Sequence, residues 1–131
     1  MARVLIDTSA VYALLDRDDT NHAAAKACLE KLRRLRTEPW LTNFVLGESH
    51  ALLLARLGHE VARKWLLANT WPVERVTVED EERARDIIRR QADQTYSYVD
   101  ATSFAVMERL RIRRALAFDR HFQRFGFELC A

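Results

Sequence analysis

The sequence predicts an α/β fold, in which a central parallel sheet of four to five strands is covered by helices on both faces. Three observations carry this. Short apolar runs alternate along the chain with longer stretches of helical period, the signature of strands and helices in turn. The first run, Val4-Leu5-Ile6, is apolar at every position, as a strand buried on both faces must be. The 131 residues suffice for one ordinary domain with one core, so 1–131 is read as a single domain.

The elements follow in order. Residues 2–6 are a strand, too short and too apolar for a helix. Thr8 and Ser9 offer capping hydroxyls for a short helix to about Leu15. Asp16 to Thr20 is a polar turn. Asn21 opens a helix to about Arg36, with Ala24, Cys28, Leu32 and Leu35 at helical spacing. Glu38 to Leu41 is a strand whose start suits Pro39. Thr42 or Asn43 caps a helix to Leu57, which Gly58 stops. A helix covers 59–69. The alternating, β-branched segment Val73 to Val78 is a strand. The run Glu79-Asp80-Glu81-Glu82 opens a helix to about Asp93, where the macrodipole favours acids. Thr95 to Tyr98 is a loop, and a helix runs from Val99 to Arg111. Residues 115–118 are a buried strand, Asp119 to Arg124 a turn of helix, and residues 127–130 a last strand.

Composition narrows the class. Hydrophobic residues make up 49% and charged ones 31%, the balance of a soluble globular protein. No apolar run approaches the roughly 20 residues of a membrane span, so no membrane partner is expected. The apolar run at the N-terminus stops at Asp7, which gives no signal-peptide core. Cys28 and Cys130 are too few for a disulfide framework and need not meet in space, so a cytoplasmic location is expected. The net charge of +2 does not by itself imply nucleic acid. The cations are nearly all arginine, with lysine only at 26, 31 and 64. Arginine suits phosphate contacts, and codon bias explains the same excess.

Four carboxylates stand where a core would not want them. Asp7 ends the first apolar run, and Asp119 ends the run Ala115-Leu116-Ala117-Phe118. Glu48 sits within the apolar helical stretch from Phe44 to Leu54. Asp100 has Tyr96 one turn before it and Phe104 one turn after. An ionised carboxylate is rarely buried unless it is paired or binds a cation. Each has a bland reading: a helix cap for Asp7, Asp100 and Asp119, and a buried arginine partner such as Arg56 for Glu48. One shared cation site explains all four at once. Ligation by oxygen alone favours Mg²⁺ or Mn²⁺ over zinc. In an open parallel sheet such a site belongs beyond the strand carboxyl ends, where the strand order reverses. A hard cation held there by carboxylates most often handles phosphates.

With these residues in view, the chain resembles the PIN-domain endoribonucleases, most closely the VapC-type toxins of VapBC toxin–antitoxin pairs. The resemblance spans the whole chain. It rests on Val4-Leu5-Ile6-Asp7-Thr8-Ser9, on Thr42-Asn43 with Glu48, on Asp100 with Ala101, Ser103 and Ala105, and on Ala117-Phe118-Asp119-Arg120-His121-Phe122. It implies a PIN-domain-like three-layer α/β/α fold and an endoribonuclease that cleaves RNA by metal-activated water. It implies Asp7, Glu48, Asp100 and Asp119 as the catalytic, metal-binding set for Mg²⁺ or Mn²⁺, with Ser9 and Ser103 in support. It further implies an RNA substrate, a cognate antitoxin and a homodimer, towards which Trp65, Leu66 and Leu67 offer apolar surface. The chain departs from the family pattern twice. Phe118 replaces a small polar residue common before the last acid, and His121 replaces an acid common two positions after it.

Further residues have competing uses. Tyr96 and Tyr98, close before Asp100, either stack on unpaired bases or pack in the core. Arg120 and His121 are candidates for RNA contact, and His121 is otherwise a substitute for the acid or a solvated helix residue. Arg113 and Arg114 fall at the wrong end of their strand. A receiver-type signalling domain wants an acidic pair after its first strand, and a haloacid-dehalogenase-type phosphatase wants Asp-x-Asp. Asp7-Thr8-Ser9 satisfies neither. A PIN-like binding or assembly module without catalysis is the remaining rival. Carboxylates about 5 Å apart repel by roughly 3 kcal/mol at an effective dielectric near 20. The metal-free protein is therefore expected to be strained at the site, and Asp100→Asn to relieve it.

Overall fold

A computed structural model describes residues 2–130. Five strands form one parallel sheet in the order β3-β2-β1-β4-β5. They are β1 (Arg3–Ile6), β2 (Glu38–Thr42), β3 (Val73–Glu74), β4 (Arg114–Leu116) and β5 (Glu128–Leu129). The helices between them are α1 (Thr8–Leu15), α2 (His22–Arg34), α3 (Asn43–Leu57), α4 (His59–Ala68), α5 (Val78–Arg90), α6 (Tyr98–Leu110) and α7 (His121–Phe125).

The strand pleat sorts the core into two layers. Val4, Ile6 and Leu116 point to one face and pack with Val11 of α1, Cys28 and Leu32 of α2, and Val45 and Leu53 of α3. Leu5, Ala115 and Ala117 point to the other and meet Ile87 of α5, Phe104 and Met107 of α6, and Phe122 of α7. The result is the expected three-layer α/β/α arrangement, and burial on both faces explains why β1 and β4 are apolar at every position after Arg3 and Arg114.

Capping chemistry sets several boundaries. The Thr42 hydroxyl accepts from Val45 N at 3.0 Å and starts α3, while Gly58, at φ +94°, ends it. Ser97 and Asp100 form a reciprocal capping box on α6, as Thr77 and Asp80 do on α5. The second box corrects a sequence expectation. Val73 to Val78 is not one strand, because β3 stops at Glu74 and Thr77 already caps the next helix. Asp80 takes its place in the acidic first turn and also holds Arg109 of α6, whose Nη2 lies 2.8 Å from Asp80 Oδ2. The cap of α1 is Asp7 and not Thr8 or Ser9. Asn21 makes no side-chain cap, and α2 ends at Arg34. β4 is shorter than expected, leaving Ala117 and Phe118 outside the sheet. The two cysteines do meet: Cys28 donates to the Cys130 carbonyl at 3.0 Å, with both thiols free.

The strand order fixes the place of the site. From β1 the chain builds outward on one side through β2 and β3, then returns to lay β4 and β5 on the other. The reversal falls between β1 and β4, which pair through Leu5–Ala115 and Ile6–Leu116. Beyond their carboxyl ends lies the crevice that such sheets use for ligands.

Candidate metal centre

Asp7 leaves β1 at that crevice. Its backbone N–H extends the ladder to the Leu116 carbonyl at 3.0 Å, and its side chain turns back to cap α1. Ser9 orients it, with Oγ donating to Asp7 Oδ2 at 2.8 Å and accepting from Phe118 N at 3.0 Å. This hydroxyl ties the ends of β1 and β4 together. Asp100 arrives in the first turn of α6, where its Oδ2 accepts from Ser97 N at 3.1 Å. Asp119 follows β4, and its Oδ1 accepts from His121 N at 3.0 Å, turning the chain into α7. Glu48, in the second turn of α3, accepts from the Thr8 hydroxyl at 2.5 Å.

All four acids line one cavity of about 380 Å³, with Thr8, Ser9, Leu52 and Ser97 completing the wall. Their burial differs from expectation. Asp7 and Asp100 are buried, at 4% and 8% exposure, whereas Asp119 is half-buried and Glu48 is exposed at the rim. The helix places Glu48 on its open side, so the apolar residues around it in sequence do not surround it in space. Nor does it pair with Arg56, which lies over the Tyr12 ring at 5.2 Å.

Among the described residues no lysine or arginine forms an ion pair with any of the four acids. Asp7 shows the consequence. Burial first, then the neighbouring Asp119 and Asp100, push its carboxyl from 3.8 up to about 7, against the opposing bonds from Ser9. Buried acids that repel one another, with a histidine but no lysine or arginine beside them, form a donor set suited to a divalent ion. Asp7, Glu48, Asp100 and Asp119 share the wall of that cavity, and the tight donor group within it is Asp100 and Asp119 with His121.

Other sequence candidates fall elsewhere. Ser103 is fully buried in α6, is not among the residues lining the cavity, and leaves its Oγ without a hydrogen-bond partner. Tyr96 is 8% exposed and meets Phe104, His121 and Phe125 edge-on, so no ring face is open to a base. Tyr98 is exposed; its hydroxyl donates to Glu81 at 2.7 Å and its ring tilts against Phe44. Arg120 faces a neighbouring depression with Gln123. His121 is not a solvated helix residue: its Nδ1 lies 2.8 Å from Asp100 Oδ2. Sequence reasoning missed Thr8 as the partner of Glu48 and Ser97 as the cap that holds Asp100, although Ser-x-x-Asp is a readable capping signal. Arg56, read from the sequence only as a partner for Glu48, faces a second depression joined to the first through Ser9, Leu52 and Asp119. Larger depressions exist, including one of about 830 Å³ along α5, but its Glu81, Glu82, Arg85 and Arg89 form a mixed-charge helix face.

An α/β/α protein that gathers carboxylates with no lysine or arginine partner at its switch point has the donor chemistry of a divalent-cation site. The family model described as the PIN domain matches residues 4–128, and the chain belongs to that family. It is 38% identical over 130 residues to the 23S rRNA-specific endonuclease VapC20 of Mycobacterium tuberculosis, covering 95% of both chains. It is 27% identical over 123 residues to ribonuclease VapC26 of the same species, covering 91% of this chain and 89% of the relative. The crystal structure of VapC20, described as a sarcin–ricin loop cleaving toxin, superposes with a TM-score of 0.83 over 95% of each chain.

Proposed function

We propose that this chain is a metal-dependent endoribonuclease of the VapC toxin type, acting as one PIN domain over residues 1–131. The observation that carries the reading is the meeting of Asp7, Glu48, Asp100 and Asp119 on one cavity at the sheet switch point. The likeness to VapC20 over nearly the whole chain supports it. The cation is Mg²⁺ or Mn²⁺, and it supplies an activated water and charge to offset that developing on the phosphate. Asp7, Asp100 and Asp119 bind it, Ser9 fixes the rotamer of Asp7, and Thr8 steadies Glu48 at the rim. Arg56 and Arg120 flank the cavity and are suited to the RNA backbone.

The likeness to VapC20 makes the sarcin–ricin loop of 23S rRNA the first substrate to test. Purified protein with ribosomes and Mg²⁺ or Mn²⁺ is expected to give one cleavage mapped by primer extension. Equal cleavage in excess EDTA would overturn the metal-dependent reading. Absence of cleavage by folded, metal-loaded protein on ribosomal, transfer and messenger RNA would leave a binding or assembly module.

The proposed partners are a cognate antitoxin and a second copy of the chain, in the cytoplasm. An antitoxin arginine among the four acids supplies the missing cation and blocks the site. The apolar groove of Val11, Leu14, Leu15, Trp65 and Trp71, rimmed by Arg17, Lys26 and Arg33 with Glu30 among them, is suited to receive an apolar segment of the same antitoxin flanked by acids. Expression alone is expected to arrest the host, and co-expression with the antitoxin to restore growth. Among the described residues, Leu67 on α4 and Val78 on α5 are the most exposed large apolar side chains, at 69% and 67%. Leu67, with Trp65 and Leu66 beside it in the chain, offers α4 as a homodimer surface, and a strict monomer by light scattering at micromolar concentration counts against it.

A further inference from the structure

A fifth donor of different chemistry stands among the acids. His121 Nδ1 lies 2.8 Å from Asp100 Oδ2 and 3.9 Å from Asp119 Oδ1. Among the described residues, these three form the only group of His, Cys, Asp and Glu side chains whose donor atoms all lie within 4.8 Å of one another. Around an octahedral ion with bonds near 2.1 Å, adjacent donors are about 3 Å apart and opposite donors about 4.2 Å. The two measured separations fall close to that span.

The ring is also held for the task. Nε2 lies 3.4 Å from the Thr95 hydroxyl, the ring meets Tyr96 edge-on at 5.5 Å, and the His121 backbone N–H is bonded to Asp119. An Nε2–H donating to Thr95 leaves the Nδ1 lone pair facing the acids, the outer-shell arrangement that fixes the tautomer of a ligating histidine. In the ion-free protein the same nitrogen donates to Asp100, and a cation takes the place of that hydrogen.

We propose that His121 is a direct metal ligand, and that the resulting nitrogen–oxygen set selects Mn²⁺ and similar transition ions over Mg²⁺. Mg²⁺ demands oxygen donors and keeps its waters, whereas imidazole suits first-row transition ions. The inference rests on the metal-dependent reading and sharpens it. The rival role for His121 is a positioning residue that hydrogen-bonds to Asp100 outside the coordination shell.

The two roles differ in whether nitrogen touches the ion. Protein stripped with EDTA and reloaded with Mn²⁺ alone is examined by pulsed electron paramagnetic resonance. A directly bonded nitrogen coupling is expected in the wild type and is lost in His121→Gln. By calorimetric titration, the preference for Mn²⁺ over Mg²⁺ is expected to fall about tenfold or more in His121→Asp, which returns an oxygen donor. Mn²⁺ binding without nitrogen coupling, or coupling that survives in His121→Gln, overturns the proposal and leaves the metal-dependent reading standing. Failure of the folded wild type to bind either ion overturns both. Should His121→Gln fail to fold, ¹⁵N-histidine labelling of the wild type decides the point, because an imidazole ligand changes the coupling pattern and an amide or water does not.

Discussion

Asp7 is the residue on which the energetics of this fold turn. Its carboxyl is held up to about 7 against 3.8, mainly by burial and then by Asp119. The folded chain therefore keeps a proton that the unfolded chain releases. Stability is fully present below about pH 4 and is lost as pH rises to about 7, by roughly 4 kcal/mol in all at about 1.4 kcal/mol per unit. Asp7→Asn keeps the capping acceptor, since asparagine caps as well as aspartate, and removes the charge. In EDTA its unfolding free energy is expected to match the wild type near pH 4 and to exceed it at pH 8 by a few kcal/mol. Urea melts at the two values check this, and a variant less stable than wild type at pH 8 refutes it. The structure also moves the strain test away from Asp100. That residue bonds to Ser97 N and His121, so Asp100→Asn disturbs a cap and a ring together with a charge. Why the sequence singled out Asp7 firmly but left His121 between an RNA contact, a substitute for an acid and a solvated helix residue is a matter of range. An acid at the end of Val4-Leu5-Ile6 announces itself locally. The partner of His121 is Asp100, and their contact exists only once α6 and α7 have packed.

At the scale of elements, the site side chains other than Glu48 are delivered at or just before a helix start. Asp7 caps α1 and Asp100 belongs to the capping box of α6, so two positive helix ends face the acids and partly offset their repulsion. Ser97→Ala removes the acceptor for Asp100 N and is expected to cost about 1 kcal/mol of stability. The backbone N–H of residue 97 still donates to Asp100 Oδ2, but without the reciprocal half of the box the first turn of α6 is held less firmly, so Mn²⁺ affinity is expected to fall by several-fold as well. A thermal melt with and without Mn²⁺ separates the two effects. An unchanged metal-induced shift in melting temperature shows that the cap does not position the carboxylate. On the outer layer Asp80 has the opposite electrostatics to Asp7. Burial alone would raise its carboxyl, but Arg109 and Thr77 outweigh burial and hold it below the ordinary value. Its stabilisation is present above the unfolded value near 4 and is lost as pH falls below it. Arg109→Met leaves Asp80 buried without its partner, for an expected loss of roughly 2 kcal/mol at pH 7. Denaturant melts of the two proteins at pH 7 and pH 3 check this; the difference should shrink at the lower pH. The missed boundary of β3 has the same root. Val73 to Val78 carries the β-branched pattern of a strand, yet Thr77 with Asp80 makes a capping box. That specific hydrogen-bond pair outweighs a weak propensity. Glu48 was misjudged for a related reason, since a helix surrounded by apolar residues in sequence still has an open face.

For the whole molecule, the acids gathered in the cavity and the arginines spread over the surface set up opposing forces on RNA. The chain has 21 Lys and Arg against 19 Asp and Glu, and four of those acids lie in one place, so the remaining surface is net positive. RNA binding should therefore weaken with salt, with a log–log slope of about −0.7 for each phosphate neutralised on a single strand. Without metal the cavity repels the scissile phosphate while the surface holds the rest of the strand. Asp119→Asn removes one of the more exposed charges from that cavity. In EDTA it is expected to bind RNA several-fold more tightly than wild type, with an unchanged salt slope, because no surface cation has been touched. In Mn²⁺ the order should reverse, since the wild type then presents a metal where the variant has lost a ligand, and cleavage by the variant should fall at least about a hundredfold. Fluorescence anisotropy on a non-cleavable RNA, across salt and with EDTA or Mn²⁺, reads all of these quantities except cleavage, which a gel supplies. If Asp119→Asn binds more weakly than wild type in EDTA, the cavity acids are not repelling the strand, and RNA does not pass over the crevice between β1 and β4.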